Sequence, residues 1–219
     1  MTREKKIQII LIAGVIVLVA VVLGLFWMAF TAEDRAMAKA AGNHPQGEKF
    51  LQQYRDAKAK LKQDPEDFGA YFEIGFVKAE FKDYPGAIES YKKSYEFNPN
   101  SMIALNNLGD IYTRMENYSK AEEMYLESIG KFSDYTQSYY ALIDLYRNYM
   151  QEKKENIEKV LLKGLEGLPN DQNLLSLLAG YYRETKQIDK AIVIYEKILA
   201  LRPNDLLIKE EIENLKAGK

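Results

Sequence analysis

Residues 102–135 read MIALNNLGDIYTRMENYSKAEEMYLESIGKFSDY. Its first half carries apolar and small residues at i, i+3, i+4 and i+7, the spacing of one helix face: Leu105, Leu108, Gly109 and Tyr112. Its second half repeats that spacing at Ala121, Tyr125 and Ser128. Between the halves, Glu116–Tyr118 predicts a turn, and Ser119–Glu122 fits a capping box that opens a helix. The stretch therefore predicts a hairpin of two helices.

The same pattern occurs in three copies along the chain. The copy 34 residues upstream consists of Tyr71, Ile74, Gly75, Tyr84, Ala87, Tyr91 and Ser94. The copy further downstream consists of Leu175, Leu178, Ala179, Tyr182, Ile188, Ala191 and Tyr195. A helix–turn–helix of ~34 residues with this pattern resembles the tetratricopeptide repeat (TPR). The resemblance implies an all-α, helical-hairpin solenoid of the TPR type. Ala179 occupies the position of Gly109, so the close helix crossing is predicted to accept alanine as well as glycine.

The repeats make residues 48–216 a predicted TPR domain. Its parts are a half-repeat at 48–65, repeats at 68–101, 102–135, 136–171 and 172–205, and a capping helix at 206–216. The third repeat is two residues longer than the others, and the excess is predicted in the polar turn 151–155. Ile143 stands there in place of glycine or alanine, and Gly164 in place of serine. We hypothesise that the smaller residue compensates for the larger one at the crossing.

An uncharged, apolar segment, Ile9 to Phe30, precedes the repeats. At ~1.5 Å per residue a helix of this length spans roughly 33 Å, enough for a hydrocarbon core of ~30 Å. A cleaved signal peptide has a shorter apolar region, of ~7–15 residues. The sequence therefore predicts one transmembrane helix at 7–30. It follows a short basic tail at 1–6 and precedes a linker at 31–47, whose Ala-rich first part continues as helix.

The orientation of this helix is predicted from its basic flanks, because Lys and Arg next to a membrane span favour the cytoplasmic side. The basic residues before the segment are Arg3, Lys5 and Lys6, and those after it, more widely spaced, are Arg35, Lys39 and Lys49. The denser cluster predicts a cytoplasmic N-terminus and an extracytoplasmic TPR domain, as in a single-pass protein of a bacterial inner membrane.

Composition argues against most catalytic and ligand-binding sites. The 219 residues contain no Cys and one His, and they show neither a Gly-rich phosphate loop nor a strand pattern. The formal net charge of −2 disfavours nucleic acid as a partner, since phosphate binding needs a basic surface. We therefore expect no enzyme activity, no cofactor or metal, and no small-molecule substrate.

The resemblance to TPR proteins implies a groove, because the first helix of each repeat lines a surface that holds a peptide. The predicted lining residues are Phe72, Phe76, Ala79, Asn106, Asp110, Thr113, Tyr140, Asp144, Arg147, Ser176 and Arg183. Phe72 and Phe76 form an aromatic pair at i, i+4, which either anchors an apolar side chain of a partner or is covered by the half-repeat or the linker. The Lys/Asn/Arg clamp by which some family members bind chaperone carboxylates is absent, since Asn107 alone matches it.

These features predict a non-enzymatic scaffold that binds a partner protein or peptide near a membrane, in a process of cell-envelope assembly. The alternative is an organelle-surface receptor or adaptor that captures cargo proteins for import, with its TPR domain in the cytosol. The acidic residues Glu33 and Asp34 after the apolar segment disfavour the alternative.

Overall fold

The computed structural model describes residues 3–218, and within them the side chains of residues 8, 11–25 and 32–218. These residues form eleven α-helices and one 3-10 helix, and no strand occurs among them. The α-helices are α1 (Arg3–Ala41), α2 (Gly47–Gln63), α3 (Phe68–Glu80), α4 (Tyr84–Phe97), α5 (Met102–Arg114), α6 (Tyr118–Lys131), α7 (Thr136–Asn148), α8 (Ile157–Gly167), α9 (Gln172–Glu184), α10 (Ile188–Leu201) and α11 (Leu206–Lys216). The 3-10 helix, Gln151–Asn156, lies between α7 and α8. The predicted all-α class is confirmed.

The helices recur with the period of the sequence pattern. The starts of α3, α5, α7, α9 and α11 lie 34, 34, 36 and 34 residues apart. Four of these starts are capped by a side chain that accepts the backbone N–H three residues ahead: Asp67, Ser101, Asp171 and Asp205. Tyr135, before α7, makes no such bond. Short polar side chains in front of an apolar run therefore fix where most repeats begin.

A residue in the left-handed region ends the first helix of three repeats. Lys82, Glu116 and Lys186 have φ of 62°, 58° and 59°. In each case the next backbone N–H bonds back to the carbonyl five residues earlier. The third repeat has the 3-10 helix 151–156 between its two α-helices. The polar turn 151–155, in which the sequence predicts the extra residues of this repeat, lies within that segment.

Gly164 does not compensate for Ile143 in the way that the sequence suggested. A Cβ at Gly164 would lie 2.9 Å from Leu174 Cδ1 and 3.2 Å from Tyr139 Cδ1, so the glycine makes room for those two side chains. Leu161 stands where the neighbouring repeats have tyrosine, and both Leu161 and Ile143 are buried. The larger residue on α7, Ile143, thus occurs together with a smaller one on α8, where Leu161 replaces the tyrosine.

The chain divides into two compact units, the first ending at Ala87 and the second beginning at Ile88. In the second unit each helix from α5 to α11 packs on the next along the chain. The core of this unit includes the side chains of Tyr125, Tyr139, Leu142, Leu161, Leu175, Leu178 and Ile198. Ile212 and Leu215 of α11 complete it, so the last helix covers an apolar face that α10 would otherwise expose.

In the first unit, the end of α1 runs antiparallel to α2. Gly47 lies against Ala41, where a Cβ would come within 1.8 Å of the Ala41 carbonyl oxygen, so a glycine is required at this turn. Further along, Lys58 Nζ lies 2.6 Å from Asp34 Oδ1. The core of the unit is Met37, Ala41, Phe50, Leu51, Tyr54, Ala57, Ala70, Ile74 and Val77. Residues 32–41, part of the predicted linker 31–47, therefore pack as part of the folded unit.

The predicted transmembrane segment 7–30 lies within α1. Positions 7, 9–10 and 26–30 of it, and the basic tail 1–6, fall outside the side chains that the structure describes. Among the described residues, no helix combines the length and the apolarity that crossing a membrane requires. The described apolar side chains of the segment, among them Leu11, Ile16 and Leu25, are exposed.

Candidate functional site

Three of the predicted groove residues line one cleft of the second unit, which we call the α5–α7 cleft. It has a volume of about 180 Å³ and is formed by residues of α5, α6 and α7 together with Tyr149. Its polar and aromatic lining is Asp110, Thr113, Arg114, Tyr125, Asp144 and Tyr149. Asp110 and Asp144 occupy corresponding positions of consecutive repeats. The repeat period therefore brings two carboxylates to one cleft.

Asp110 is held in place by the second helix of its own hairpin. The hydroxyl of Tyr125, a buried residue of α6, donates to Asp110 Oδ1 at 2.7 Å. The hydroxyl of Thr113 donates to the backbone oxygen of Gly109 at 3.0 Å and lies 3.4 Å from the Tyr125 hydroxyl. These bonds fix three of the lining side chains without a ligand.

Burial raises the pKa of Asp110 above its ordinary value of 3.8, and it outweighs the Tyr125 hydroxyl and the Arg114 guanidinium, which both lower this pKa. Burial and the neighbouring Asp110 carboxylate also raise the pKa of Tyr125 well above 10.0, so its hydroxyl remains a donor. A carboxylate in such low-dielectric surroundings gains more from an added hydrogen-bond donor than an exposed one does. Asp110 is thus suited to accept a bond from a ligand.

An aromatic surface adjoins the α5–α7 cleft. Tyr149 also lines a second cleft of about 470 Å³, together with Met115, Glu116 and Tyr118. The rings of Tyr118 and Tyr149 stack with centroids 5.1 Å apart and 23° between their planes. Tyr149 is 47% exposed, so its ring is available to a ligand. Sequence reasoning missed Tyr149 because it follows the last residue of α7, where helical periodicity no longer assigns a face.

The α5–α7 cleft offers hydrogen-bond groups and an aromatic face. Asp144 accepts a bond from the Asn148 side chain at 2.6 Å and remains exposed, and Arg114 contributes a donor to the lining of the cleft. No group of three His, Cys, Asp or Glu residues with the arrangement of a metal site occurs among the described side chains. Carboxylate acceptors next to an exposed aromatic ring suit a peptide segment that brings N–H donors and an apolar side chain.

Two further groove residues of the second unit take part in bonds between repeats. The Ser138 hydroxyl of α7 donates to Asn106 Oδ1 of α5 at 3.4 Å. The Tyr140 hydroxyl donates to Asp171 Oδ1 at 3.1 Å, and Asp171 is the residue that caps α9. Both predicted binding residues therefore also connect neighbouring repeats.

The groove residues of α9 do not line the α5–α7 cleft. Arg183 Nη1 donates to Glu211 Oε1 of the capping helix α11 at 2.8 Å. The Ser176 hydroxyl donates to the backbone oxygen of Gln172 within its own helix. Arg147, on α7, is half-buried. The structure thus brings Asp110, Thr113 and Asp144 into one site. Arg147, Ser176 and Arg183 lie outside it.

The aromatic pair of the first unit contacts the predicted half-repeat. The ring of Phe76 meets the ring of Phe50, from α2, edge to face at a centroid distance of 5.7 Å, and Phe76 is 37% exposed. Phe72 is half-buried. Ala79 is only 5% exposed, so its expected place on an open groove is wrong. Phe76 therefore contacts the half-repeat without being covered by it.

Profiles of the tetratricopeptide repeat match the chain at residues 90–123 and 173–205. The second match spans α9 and α10, and the first runs from α4 through α5 into α6. The chain therefore contains tetratricopeptide repeats, as the spacing of the sequence pattern predicted.

Known proteins with related repeats are similar over most of the chain. Superkiller complex protein 3 of Homo sapiens is 23% identical over 183 residues, which make up 84% of this chain and 10% of that protein. The chain thus spans about a tenth of the length of this curated relative. The crystal structure of MamA has a TM-score of 0.53 at 21% identity and covers 76% of this chain and 90% of its own.

A further solved structure, YrrB, is described as a TPR protein with an unusual peptide-binding site. It has a TM-score of 0.51 at 13% identity, and the match covers 81% of this chain and 90% of YrrB. Identities this low establish a shared helical-repeat fold and nothing finer.

Proposed function

We propose that this chain is a membrane-anchored scaffold that binds a partner protein or peptide in the α5–α7 cleft, in a process of cell-envelope assembly. The observation that carries the proposal is the cleft itself. It combines the half-buried carboxylate of Asp110, the exposed carboxylate of Asp144 and the exposed ring of Tyr149. Tetratricopeptide repeats generally serve as scaffolds for protein–protein interaction, and the peptide-binding site described for YrrB is a precedent for this use of the fold.

Binding is proposed to work through donors on the partner. An N–H group or a basic side chain of a bound segment donates to Asp110 and Asp144, and an apolar side chain packs on Tyr149. Hydrogen bonds to charged groups contribute about 1.5–3 kcal/mol each, more than neutral pairs do. Because Tyr125, which also contacts Thr113, already holds Asp110 in place, little ordering of the cleft opposes binding.

The membrane anchor in this proposal is the apolar part of α1. Ile9 to Phe30 carries no charge. The described side chains of residues 11–25 are apolar on every side of the helix, and all but the half-buried Gly24 are exposed. A helix that is apolar all round belongs in a core or in a bilayer, and no other helix covers the described apolar side chains.

The proposed topology places the N-terminus in the cytoplasm and the repeats outside it, at a bacterial inner membrane. A reporter that is active only outside the cytoplasm, fused after Lys219, is expected to be active, because the dense basic cluster before the segment keeps the short N-terminus inside. Activity of a cytoplasm-only reporter at the same site would instead favour the second candidate, an organelle-surface receptor that captures cargo for import. The basic residues Arg35, Lys39 and Lys49 after the segment favour that candidate.

Partner binding is tested in cells by photo-crosslinking from the cleft. Replacing Tyr149 by a benzoylphenylalanine keeps an exposed aromatic side chain between the two clefts, and a matched variant carries the same group at Val193, which is exposed on α10. We expect a crosslinked protein of defined mass from position 149 and not from position 193. The same products from both positions, or none from position 149, would contradict a binding site in the α5–α7 cleft.

A further inference from the structure

The hairpin of α1 and α2 returns the chain to the end of the apolar segment. The ammonium group of Lys58 on α2 is level with the Asp34 carboxylate of α1, since Nζ lies 2.6 Å from Oδ1. The two helices are antiparallel. One helical turn beyond Lys58, at ~1.5 Å per residue, α2 reaches Lys62 about 6 Å further on. The same distance along α1, in the same direction, leads from Asp34 to residue 30, where the apolar segment ends. With its side chain extended like that of Lys58, the Lys62 ammonium is therefore level with that end.

A cleft of about 270 Å³ lies on this face of α2, and we call it the α2 cleft. Its charged and polar lining is Asp34, Tyr54, Arg55, Lys58 and Lys62. The α2 residues among these recur at helical spacing and so share one face of the helix. The Tyr54 hydroxyl is buried, and burial together with the nearby Glu33 and Asp34 carboxylates raises its pKa.

The charges around the α2 cleft do not cancel. Lys58 pairs with Asp34 at 2.6 Å, and Lys78 Nζ pairs with Glu33 Oε1 at 2.7 Å, so these four groups balance. Arg55 and Lys62 are exposed, and neither forms an ion pair among the described residues. Two positive charges therefore remain on the cleft.

The carboxylate next along the chain from Lys62 is occupied by the backbone. Asp64 Oδ1 accepts the N–H of Glu66 at 3.0 Å. It thus caps the turn that follows α2, and no ion pair joins it to Lys62 among the described residues.

We propose that the α2 cleft binds the phosphate of an anionic lipid headgroup, with Arg55 and Lys62 as its ligands. The inference rests on the proposed membrane anchor, because the anchor places the end of the apolar segment, and Lys62 with it, at the headgroup layer. Basic side chains at an anionic membrane surface gain roughly 1 kcal/mol each, and a guanidinium is suited to bidentate phosphate contacts.

The test uses the full chain in nanodiscs of phosphatidylcholine alone or of phosphatidylcholine mixed with phosphatidylglycerol. The rate at which an amine-reactive reagent labels each lysine is followed by mass spectrometry. Lys60 is the matched control, because it is exposed on the same helix but on the face turned away from the cleft. We expect labelling of Lys62 to slow about fivefold in the anionic nanodiscs, the equivalent of roughly 1 kcal/mol, while Lys60 changes much less.

The variant Arg55→Gln is expected to remove much of the protection of Lys62, because it removes the second ligand of the phosphate. Equal slowing of Lys60 and Lys62 would overturn the proposal, since it would show only the general surface potential. Protection of Lys62 by inorganic phosphate in the phosphatidylcholine nanodiscs would also overturn it, in favour of a site for a soluble anion. A chain that does not enter nanodiscs at all would refute the anchor, and the headgroup site with it.

Discussion

Gly109→Ala is expected to destabilise the second unit, although alanine occupies the equivalent position of the fourth repeat. A Cβ at Gly109 would lie 2.3 Å from Tyr125 Cε1, much closer than two carbon atoms approach. The ring cannot move aside freely, because Tyr125 is buried and its hydroxyl donates to Asp110 at 2.7 Å. In the fourth repeat, Ala179 is followed by Gly180, so the tyrosine there has no carboxylate at that position to hold it. The prediction that the crossing accepts alanine is therefore revised for Gly109.

Overpacking of a core costs about 1–3 kcal/mol, while helix propensity returns at most ~1 kcal/mol when alanine replaces glycine. Gly109→Leu adds the loss of the Tyr125–Asp110 bond, which brings its cost to the order of 3 kcal/mol or more. Gly180→Ala is the matched control, because a Cβ there meets nothing within 4 Å. It should stabilise the unit by roughly 0.5–1 kcal/mol.

Hydrogen exchange of the α5 and α6 amides, measured on the full chain in detergent, gives the free energy of opening for each variant. Slower or unchanged exchange in Gly109→Ala, or destabilisation by Gly180→Ala, would show that the crossing of α5 and α6 is wrongly described.

Glu33→Gln is expected to loosen the end of α1 from the first unit. Lys78 is only 8% exposed, and its Nζ lies 2.7 Å from Glu33 Oε1. Removing one partner of a buried ion pair costs about 3–5 kcal/mol, because the other charge is left without compensation. Glu33 is itself about one-third exposed, so screening reduces the expected loss to roughly 1–3 kcal/mol. The double variant Glu33→Gln/Lys78→Gln should recover part of it.

Glu211→Gln is the matched control, because its pair with Arg183 has a similar length of 2.8 Å but a half-exposed arginine. Exposed ion pairs contribute about 0–1 kcal/mol, so little change is expected. The readout is hydrogen exchange of residues 32–41 and of α2 for Glu33→Gln, and of α9 and α11 for Glu211→Gln. Equal effects of the two single variants would mean that burial of Lys78 does not matter.

The same pair predicts a pH dependence. Burial acts to raise the pKa of Glu33, but the Lys78 and Lys58 ammonium groups and the Tyr54 hydroxyl lower it below 4.5 overall. The contribution of Glu33 to stability is therefore complete above pH 4.5 and is lost as the pH falls through the lowered pKa. In Glu33→Gln this part of the acid sensitivity of the first unit should disappear.

How far the sequence predicts this structure depends on the kind of residue. The period of the helices follows from the spacing of Leu, Gly, Ala and Tyr, because one helix face must be buried in every repeat. The same spacing does not predict how deep a residue on the edge of that face lies. Ala79 was therefore expected on an open surface and is buried, whereas Asp110 was expected there and is half-buried.

The contacts of α1 were harder to predict than those of the repeats. Residues 31–41 are rich in alanine and carry a weak apolar pattern, so nothing in the sequence indicates which face packs. Met37 and the pair Glu33–Lys78 fix that face, and the partners of this pair are far apart in the sequence. Tyr149 was missed for a related reason, since it lies in a turn whose conformation no repeat pattern specifies.

The binding role of the α5–α7 cleft is tested most directly with the double variant Asp110→Asn/Asp144→Asn. Asparagine at position 110 still accepts a bond from the Tyr125 hydroxyl, and it removes a charge whose burial raises the carboxyl pKa. Because this pKa is raised, the charged form of Asp110 lowers the free energy of unfolding. That stability is regained as the pH falls through the raised pKa. At neutral pH the variant should therefore be as stable as the wild type or more so. Asp134→Asn, exposed in a turn outside the cleft, is the control.

The decisive measurement is the affinity of the full chain for the partner captured from position 149, determined beside the melting temperature of the same samples. We expect the affinity to fall by at least about tenfold in the double variant, because each lost charged hydrogen bond contributes about 1.5–3 kcal/mol. The melting temperature should not fall, and Asp134→Asn should leave both quantities unchanged. Unchanged affinity together with a lower melting temperature would contradict the account, because Asp110 and Asp144 would then serve the fold and not the partner.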